Sequence, residues 1–176
     1  FKSIQQVIDL SGRFKGQFLS YDELLASGSV PKTKSEPGPA DLAVIAYTSG
    51  PSFAPHGIML THQHIVTEIA ISGESFAQTD KDIVPLFALP LHHAAGLTIV
   101  ALTTICHGGT LIMIPALSLP TLLGMMEKER ATLLIEVPFI FALLVRHAEE
   151  EGIKYDLSSL RLCGSGGSPL PVEVSQ

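Results

Sequence analysis

The sequence predicts an α/β fold in which helices cover both faces of a mostly parallel sheet. Short β-branched apolar runs alternate with longer segments that open on helix-capping residues, and loops rich in glycine and proline separate them. Strands that alternate with helices are joined by crossover connections, which produce parallel pairing. Hydrophobic residues make up 46% of the chain, which is enough to build a sizeable core at this length.

The strands are predicted from the short apolar runs. These runs are Leu42–Tyr47, Ile83–Leu89, Thr110–Ile114, Thr132–Val137 and Leu160–Cys163. The first run lacks polar alternation, which is typical of a strand buried on both faces. In a sheet of this kind, binding sites lie at the carboxyl ends of the strands.

Capping residues predict where the helices begin. Ser20 and Glu23 form a capping-box pattern before a short helix, and Thr61 is a typical N-cap of a longer one. The longer helices are predicted from Thr61 to Ala77, over Ala94–Cys106, from Ser118 through Lys128 and over Phe139–Glu151. It follows that Thr48–Gly57 would connect a strand directly to a helix.

Composition predicts that the chain is one partial domain. Residues 1–176 are expected to form a single unit, with a linker-like loop over residues 30–40. Charged residues make up only 16% of the chain, against about 25% in an average globular protein. Such a deficit indicates a face that is covered by other parts of a larger protein. The absence of a starting Met at Phe1 agrees with this expectation.

Charge and hydropathy argue against nucleic acid binding and against a transmembrane segment. The net charge of −6 and the absence of a Lys/Arg run argue against nucleic acid. The stretch from Ile83 to Met126 has no charged residue, but prolines and glycines cut it into short pieces, so a buried core is favoured over a transmembrane segment. Cys106 and Cys163 lie in apolar runs and are interpreted as buried thiols of a cytoplasmic protein.

Thr48–Gly57 is the first loop that could carry chemistry. It contains hydroxyl residues and glycines after a strand, as a phosphate cradle does, because small residues let backbone N–H groups approach an anion. The Gly-Lys-Ser/Thr of a Walker loop is absent. Composition alone therefore favours an ordinary surface loop.

Other constellations favour structural interpretations. His62 and His64, and the neighbouring His92 and His93, do not have metal-ligand spacing, so capping or core histidines are favoured over zinc. Ser165 stands in a pattern like the hydrolase nucleophile elbow, but the first glycine of that motif is missing and few residues follow. Gly164-Ser165-Gly166 does not begin a dinucleotide-binding fingerprint either, because Pro169 occupies the last glycine position of that motif.

Three stretches resemble one family. Asp41–Gly50 followed by Gly57–His62 resembles the signature loop of the adenylate-forming superfamily, which contains acyl-CoA synthetases, peptide-synthetase adenylation domains and firefly luciferase. Leu89–Gly96 resembles the family's Leu-Pro-x-x-His-x-x-Gly motif, and Leu160–Leu170 its Ser-Gly-Gly-Ala-Pro-Leu motif. Each motif alone is weak, but the three occur in the family's order and at similar separations.

The resemblance implies a partial N-terminal domain of an acyl-CoA synthetase-like fold and a two-step reaction. Enzymes of the family convert a carboxylate and ATP, with Mg²⁺, to an acyl-adenylate and pyrophosphate, and the CoA thiol then attacks the adenylate to give a thioester. The small Ala94–Gly96 segment favours a fatty acid. By resemblance, the ATP phosphates would meet Thr48, Ser49, Gly50, His56 and Gly57. The adenine and acyl pocket would involve His93, Gly96, Gly166, Gly167, Ser168 and Pro169.

Departures from the family pattern leave a second class open. Pro51-Ser52-Phe53 stands where the family has Thr-Thr-Gly, and His56 stands where it has lysine, so a fixed positive charge is missing. The family's Thr-Glu motif, ribose-binding Asp and catalytic Lys do not occur within residues 1–176. The isolated chain is therefore expected to be inactive, and a non-enzymatic scaffold or binding protein of the same fold is the alternative.

Overall fold

The computed structural model describes residues 7–11, 13–14, 18–28, 36–48, 55–114, 117–152 and 154–175. The chain divides into two compact units, residues 1–36 and residues 37–176. The first unit contains a parallel pair of short strands and one helix: β1 Ile8–Asp9, β2 Leu19–Ser20 and α1 Tyr21–Ser27. The Ser20 hydroxyl accepts the amide of Glu23 at 3.4 Å, so the predicted cap is present. The single domain with a linker over residues 30–40 stays a prediction.

The second unit opens with an antiparallel hairpin. Strand β3, Leu42–Tyr47, pairs with β4, Gly57–Thr61, so that Tyr47 lies opposite Gly57. The predicted direct connection from strand to helix was therefore wrong, because Gly57–Thr61 forms the strand that satisfies the backbone of β3. The prediction that β3 is buried on both faces was also wrong, since Tyr47 is 73% exposed and Ile45 is 50% exposed.

Helix α2, His62–Ser75, begins where the sequence predicts. The Thr61 hydroxyl accepts the amide of His64 at 3.3 Å, and Nδ1 of His64 accepts the amide of Thr61 at 3.2 Å. This reciprocal arrangement is a capping box in which histidine takes the place of the usual glutamate. His64 therefore has a capping role, as the sequence favoured.

Two parallel pairs of strands form the centre of this unit. Strand β5, Ile83–Leu86, pairs with β6, Thr110–Met113, and β7, Leu133–Glu136, pairs with β8, Leu162–Ser165. The pairs lie side by side, because the Thr132 amide before β7 donates to the Ile83 carbonyl of β5 at 2.9 Å. The predicted α/β fold with mostly parallel strands is confirmed, with the β3–β4 hairpin as its antiparallel part.

Helices cover both faces of these strands. Leu133 and Ile135 of β7 pack with Val100 on one face, whereas Leu134 between them packs with Leu122 and Met126 on the other. The helices are a π-helical segment over Ala95–Leu102 that continues into α3 Thr103–Cys106, then α4 Leu119–Glu129, α5 Pro138–Glu151 and α6 Val172–Ser175. Ser118 caps α4 through the amide of Thr121, as predicted.

The helix predicted over Ala94–Cys106 is not a regular α-helix. The amide and the hydroxyl of Thr103 both donate to the carbonyl of Thr98, five residues earlier, and the Thr98 hydroxyl donates to the Ala94 carbonyl at 2.7 Å. These threonine bonds accompany the wider helical turn. Segments of π-helix are rare in proteins, and those that occur often lie at functional sites.

Both cysteines differ from the sequence prediction in one respect. Cys106 and Cys163 are free, but both are exposed instead of buried. Desolvation by its packed neighbours raises the pKa of the Cys163 thiol. Among the helices in the described ranges, none is long and apolar enough to cross a membrane.

A buried carboxylate joins the strands at their amino ends. Asp82 precedes β5 and accepts the Thr132 hydroxyl at 2.7 Å and two Arg161 nitrogens at 2.9 and 2.8 Å. Arg161 also donates to the carbonyls of Phe76 and Ala77, which follow α2. This network therefore fixes β5, β7, β8 and the end of α2 at the edge of the sheet opposite the predicted site.

Candidate functional site

A cavity of about 200 Å³ lies at the carboxyl ends of β7 and β8. It is lined by Phe76, Leu89, His93, Ala95, Ile99, Ile135, Glu136, Val137, Gly164, Ser165, Gly166 and Gly167. Its wall is mostly apolar, with few polar side chains. Three of the residues predicted for the adenine and acyl pocket, His93, Gly166 and Gly167, therefore meet around one space.

His93 lies in the turn that follows β5. Its amide donates to the Pro90 carbonyl at 3.0 Å, and its Nδ1 accepts the Ala95 amide at 3.2 Å. The second bond holds the ring at the start of the π-helical segment and leaves Nε2 as the nitrogen without a role in this turn. The ring is exposed at the mouth of the cavity.

Gly96 is buried but does not line this cavity. A Cβ at this position would lie 2.6 Å from the Leu89 carbonyl oxygen and would also collide with the Pro90 carbonyl oxygen. Backbone atoms cannot move aside cheaply. The glycine is therefore required for close packing of the His93 turn against the π-helical segment, and its role beside an acyl chain stays a prediction.

We expect Gly96→Ala to destabilise the protein by about 1–3 kcal/mol, as overpacking typically does. Urea unfolding of the full-length protein measures the change. Gly124→Ala in α4 is the matched control, because its Cβ would meet only a Tyr155 ring carbon at 3.9 Å. Helix propensity predicts that the control is neutral or stabilising by up to about 1 kcal/mol. Equal effects of the two substitutions would contradict the packing role.

The turn after β8 forms the opposite side of the cavity. The Gly166 amide donates to the Glu136 carbonyl at 3.2 Å, which ties the turn to the end of β7. Gly167 has φ +85°, a left-handed conformation that favours glycine, and a Cβ on Gly166 would meet no atom within 4 Å. Ser168 and Pro169 continue the turn at the surface and are outside the cavity lining.

The predicted phosphate loop closes the β3–β4 hairpin. The Thr48 amide donates to the His56 carbonyl at 3.0 Å, and the Thr48 hydroxyl accepts the His56 amide at 3.3 Å. Ser49, Gly50 and the Pro51–Phe53 departure lie outside the described residues, whereas Gly57 begins β4. Two hydrogen bonds therefore join Thr48 and His56, the residues at the described ends of the loop.

The hairpin faces the His93 turn across a second cavity of about 240 Å³. Residues Val44–Ala46 and Leu60 line it from the hairpin, and Leu91–Ala94 line it from the turn. Two of the three family-like stretches therefore border a common space, and the second and third border the first cavity. The His93 turn is the segment shared by both.

Glu136 is a cavity residue that the sequence analysis missed. It ends β7, is 1% exposed, and its Oε1 accepts the Ala88 amide at 2.9 Å. Burial raises the pKa of its carboxyl, while the amides of Ala88, Val137 and Phe87 oppose the shift. A single acidic residue inside the apolar run Thr132–Val137 was the signal that could have identified it, because unpaired charges are rare in buried strands.

The comparisons with known proteins agree with this arrangement. Residues 3–176 match the family of AMP-binding enzymes. The chain is 30% identical over 172 residues to 4-coumarate-CoA ligase 1 of Narcissus pseudonarcissus, which covers 96% of this chain and 31% of that protein. It is 37% identical over 150 residues to a long-chain-fatty-acid–CoA ligase of Bacillus subtilis, covering 84% of this chain and 26% of that protein.

Solved structures define the class of fold. A long-chain-fatty-acid-CoA ligase from Archaeoglobus fulgidus superimposes with a TM-score of 0.76 at 26% identity, over 88% of this chain and 31% of that one. The ATP-bound structure of MatB from Rhodopseudomonas palustris gives 0.74 at 27% identity, over 87% and 29%. The fold is that of the adenylate-forming enzymes. The chain belongs to the AMP-binding enzyme family, and it spans about a third or less of its relatives' length.

Proposed function

We propose that this chain is part of an ATP-dependent acid–thiol ligase. The full-length protein would react a carboxylic acid with an apolar body, a fatty acid in the first place, with ATP to form an acyl-adenylate and pyrophosphate. It would then transfer the acyl group to the thiol of CoA and release AMP. The observation that supports this proposal is the cavity where His93 from one family-like stretch meets Gly166 and Gly167 from another. An apolar wall with a few polar groups suits the body of such an acid.

The same arrangement suits the nucleotide. The open space beside Gly166 and the left-handed Gly167 leave room for a flat ring at the end of β8, where adenine would lie next to the acyl group. The loop between Thr48 and Gly57 would face the phosphates, and ATP would bring its Mg²⁺ with it. CoA would enter as the second substrate. The two free thiols fit the cytoplasmic location proposed for the enzyme.

The test is acid-dependent exchange of labelled pyrophosphate into ATP by the full-length protein, with and without Gly166→Val. A Cβ at Gly166 would meet no atom within 4 Å, so the variant should fold normally while its side chain fills space beside the cavity. We expect exchange with apolar acids. In the variant, the KM for the acid or for ATP should rise roughly tenfold, since a mismatch of one methylene group in an apolar pocket costs about 10-fold or more.

Gly124→Ala, remote from the cavity, is the control and should leave both KM values unchanged. If none of the acids supports pyrophosphate exchange by the full-length protein, the proposal is contradicted. That result would favour the scaffold or binding protein of the same fold.

A further inference from the structure

The cavity wall contains one buried polar atom without a partner. Within the described part of the chain, Oε2 of Glu136 is buried and makes no hydrogen bond, although Oε1 of the same carboxyl accepts the Ala88 amide at 2.9 Å. An unsatisfied buried oxygen costs about 1–3 kcal/mol, so a retained one calls for a partner from outside the chain. Glu136 lines the cavity in which the acyl group is proposed to lie.

Few other groups in the wall could fill this role. The other polar side chains of the wall belong to His93, whose Nδ1 already accepts the Ala95 amide, and to Ser165, and both residues are exposed to water. Leu89, Ile99, Ile135 and Val137 are apolar. A purely apolar acid would leave Oε2 as it is and would add a dry surface around it. An acid with one polar group on its body would instead satisfy the oxygen.

The chemistry of the carboxyl selects the kind of group. A neutral carboxyl donates through its O–H, whereas an ionised one only accepts. Burial raises the pKa of Glu136, which favours the neutral carboxyl. A hydroxyl both donates and accepts, so it matches either form of Glu136, whereas an ammonium matches only the ionised form and an ether only the neutral form.

We propose that Glu136 is a specificity-determining residue that selects, among apolar acids, those bearing a hydroxyl on the acyl body. The inference rests on the proposed function and narrows its substrate class to hydroxylated acids, either phenolic or aliphatic. The Ala88 bond fixes the carboxyl, because it ties the end of β7 to the segment that follows β5. Recognition by a fixed hydrogen-bonding group discriminates more strongly than apolar fit does.

The experiment compares acids that differ by one hydroxyl. The full-length protein is assayed by pyrophosphate exchange with cinnamate and para-hydroxycinnamate, and with decanoate and omega-hydroxydecanoate; omega-aminodecanoate is a further arm. We expect kcat/KM to favour the hydroxylated member of at least one pair by about 10- to 100-fold. Glu136→Leu should abolish this ratio by losing activity on the hydroxylated member.

Glu136→Gln keeps the variant set informative if the leucine variant does not fold. Its amide oxygen can still accept the Ala88 amide, and its NH₂ can still donate to a hydroxyl, so a reduced preference should survive. A merely structural role would change both members of each pair equally. Glu150→Gln, which removes an exposed carboxylate paired with Arg146 at 2.8 Å, is the control and should leave the ratios unchanged.

The outcomes separate this inference from the proposed function. Exchange with equal kcat/KM for both members of every pair would overturn the inference and leave the proposed function standing. A preference for omega-aminodecanoate over omega-hydroxydecanoate would do the same. If no acid supports exchange, calorimetric binding of the same acids to the full-length protein still tests Glu136. Tighter binding of the hydroxylated member, lost in Glu136→Leu, would then support the inference without the function.

Discussion

Asp82→Ala is expected to lower the free energy of unfolding by about 3 kcal/mol. Removing the carboxylate leaves Arg161 without its partner at 2.8 Å and frees the Thr132 hydroxyl that bridges β5 and β7. Arg161 keeps some contact with water, its side chain being 37% exposed, so the loss falls at the lower end of the range for broken buried pairs. Urea unfolding of the full-length protein gives the value.

Asp156→Ala is the matched control for this prediction. Asp156 pairs with Arg130 at the same distance of 2.8 Å, but the two side chains are 57% and 55% exposed. Water screens such a pair, so its loss should be much smaller. Equal losses at Asp82 and Asp156 would show that the buried network does not stabilise the amino ends of the strands.

The Asp82 network also predicts a pH dependence. Burial alone would raise the pKa of Asp82, but hydrogen bonds from Arg161, Thr132 and Thr79 outweigh burial and hold it well below its usual range. The folded pKa is thus lower than the unfolded one of about 3.9, so this stabilisation is present above about pH 4 and is lost as the pH falls further. In Asp82→Asn that part of the acid sensitivity should be absent.

The isolated chain of residues 1–176 is expected to form no measurable acyl-adenylate. The loss of one preorganised electrostatic contact costs about 10²–10³ in rate, and the family's Thr-Glu motif, ribose-binding Asp and catalytic Lys do not occur in these residues. Exposed apolar side chains on the hairpin, such as Tyr47 and Met59, agree with a surface that other parts of the protein cover. Pyrophosphate exchange by the isolated chain, compared with the full-length protein, measures the difference.

His56→Lys in the full-length protein is the companion variant. It restores the fixed positive charge that the family has at this position. We expect exchange to increase if phosphate binding limits the rate, because lysine carries a fixed positive charge at pH 7. Exchange by the isolated chain at the rate of the full-length protein would refute the need for the remaining elements.

The elements that local chemistry specifies were predictable from the sequence. Thr61 and Ser118 cap their helices as expected, because an N-cap depends on one side chain and the next turn of backbone. The parallel strands followed from the alternation of strand and helix patterns, which limits their connections. The meeting of His93 with Gly166 and Gly167 was expected from the family resemblance and from the rule that sites gather at the carboxyl ends of strands.

Features that depend on distant partners were not predictable. Gly57–Thr61 is too short and too uniformly apolar to be distinguished from a helix entry, and its strand state depends on the backbone of β3. The position of Glu136 in the cavity wall depends on the Ala88 amide, which lies far away in the sequence.

The most direct test of the central claim is a crystal structure of the full-length protein bound to a non-hydrolysable acyl-sulfamoyl adenosine. We predict that the acyl group fills the cavity between His93, Glu136 and Gly167, and that the adenine lies along the turn after Gly166. Electron density for the acyl group at another place, with this cavity empty or filled by the protein's own side chains, would contradict the account.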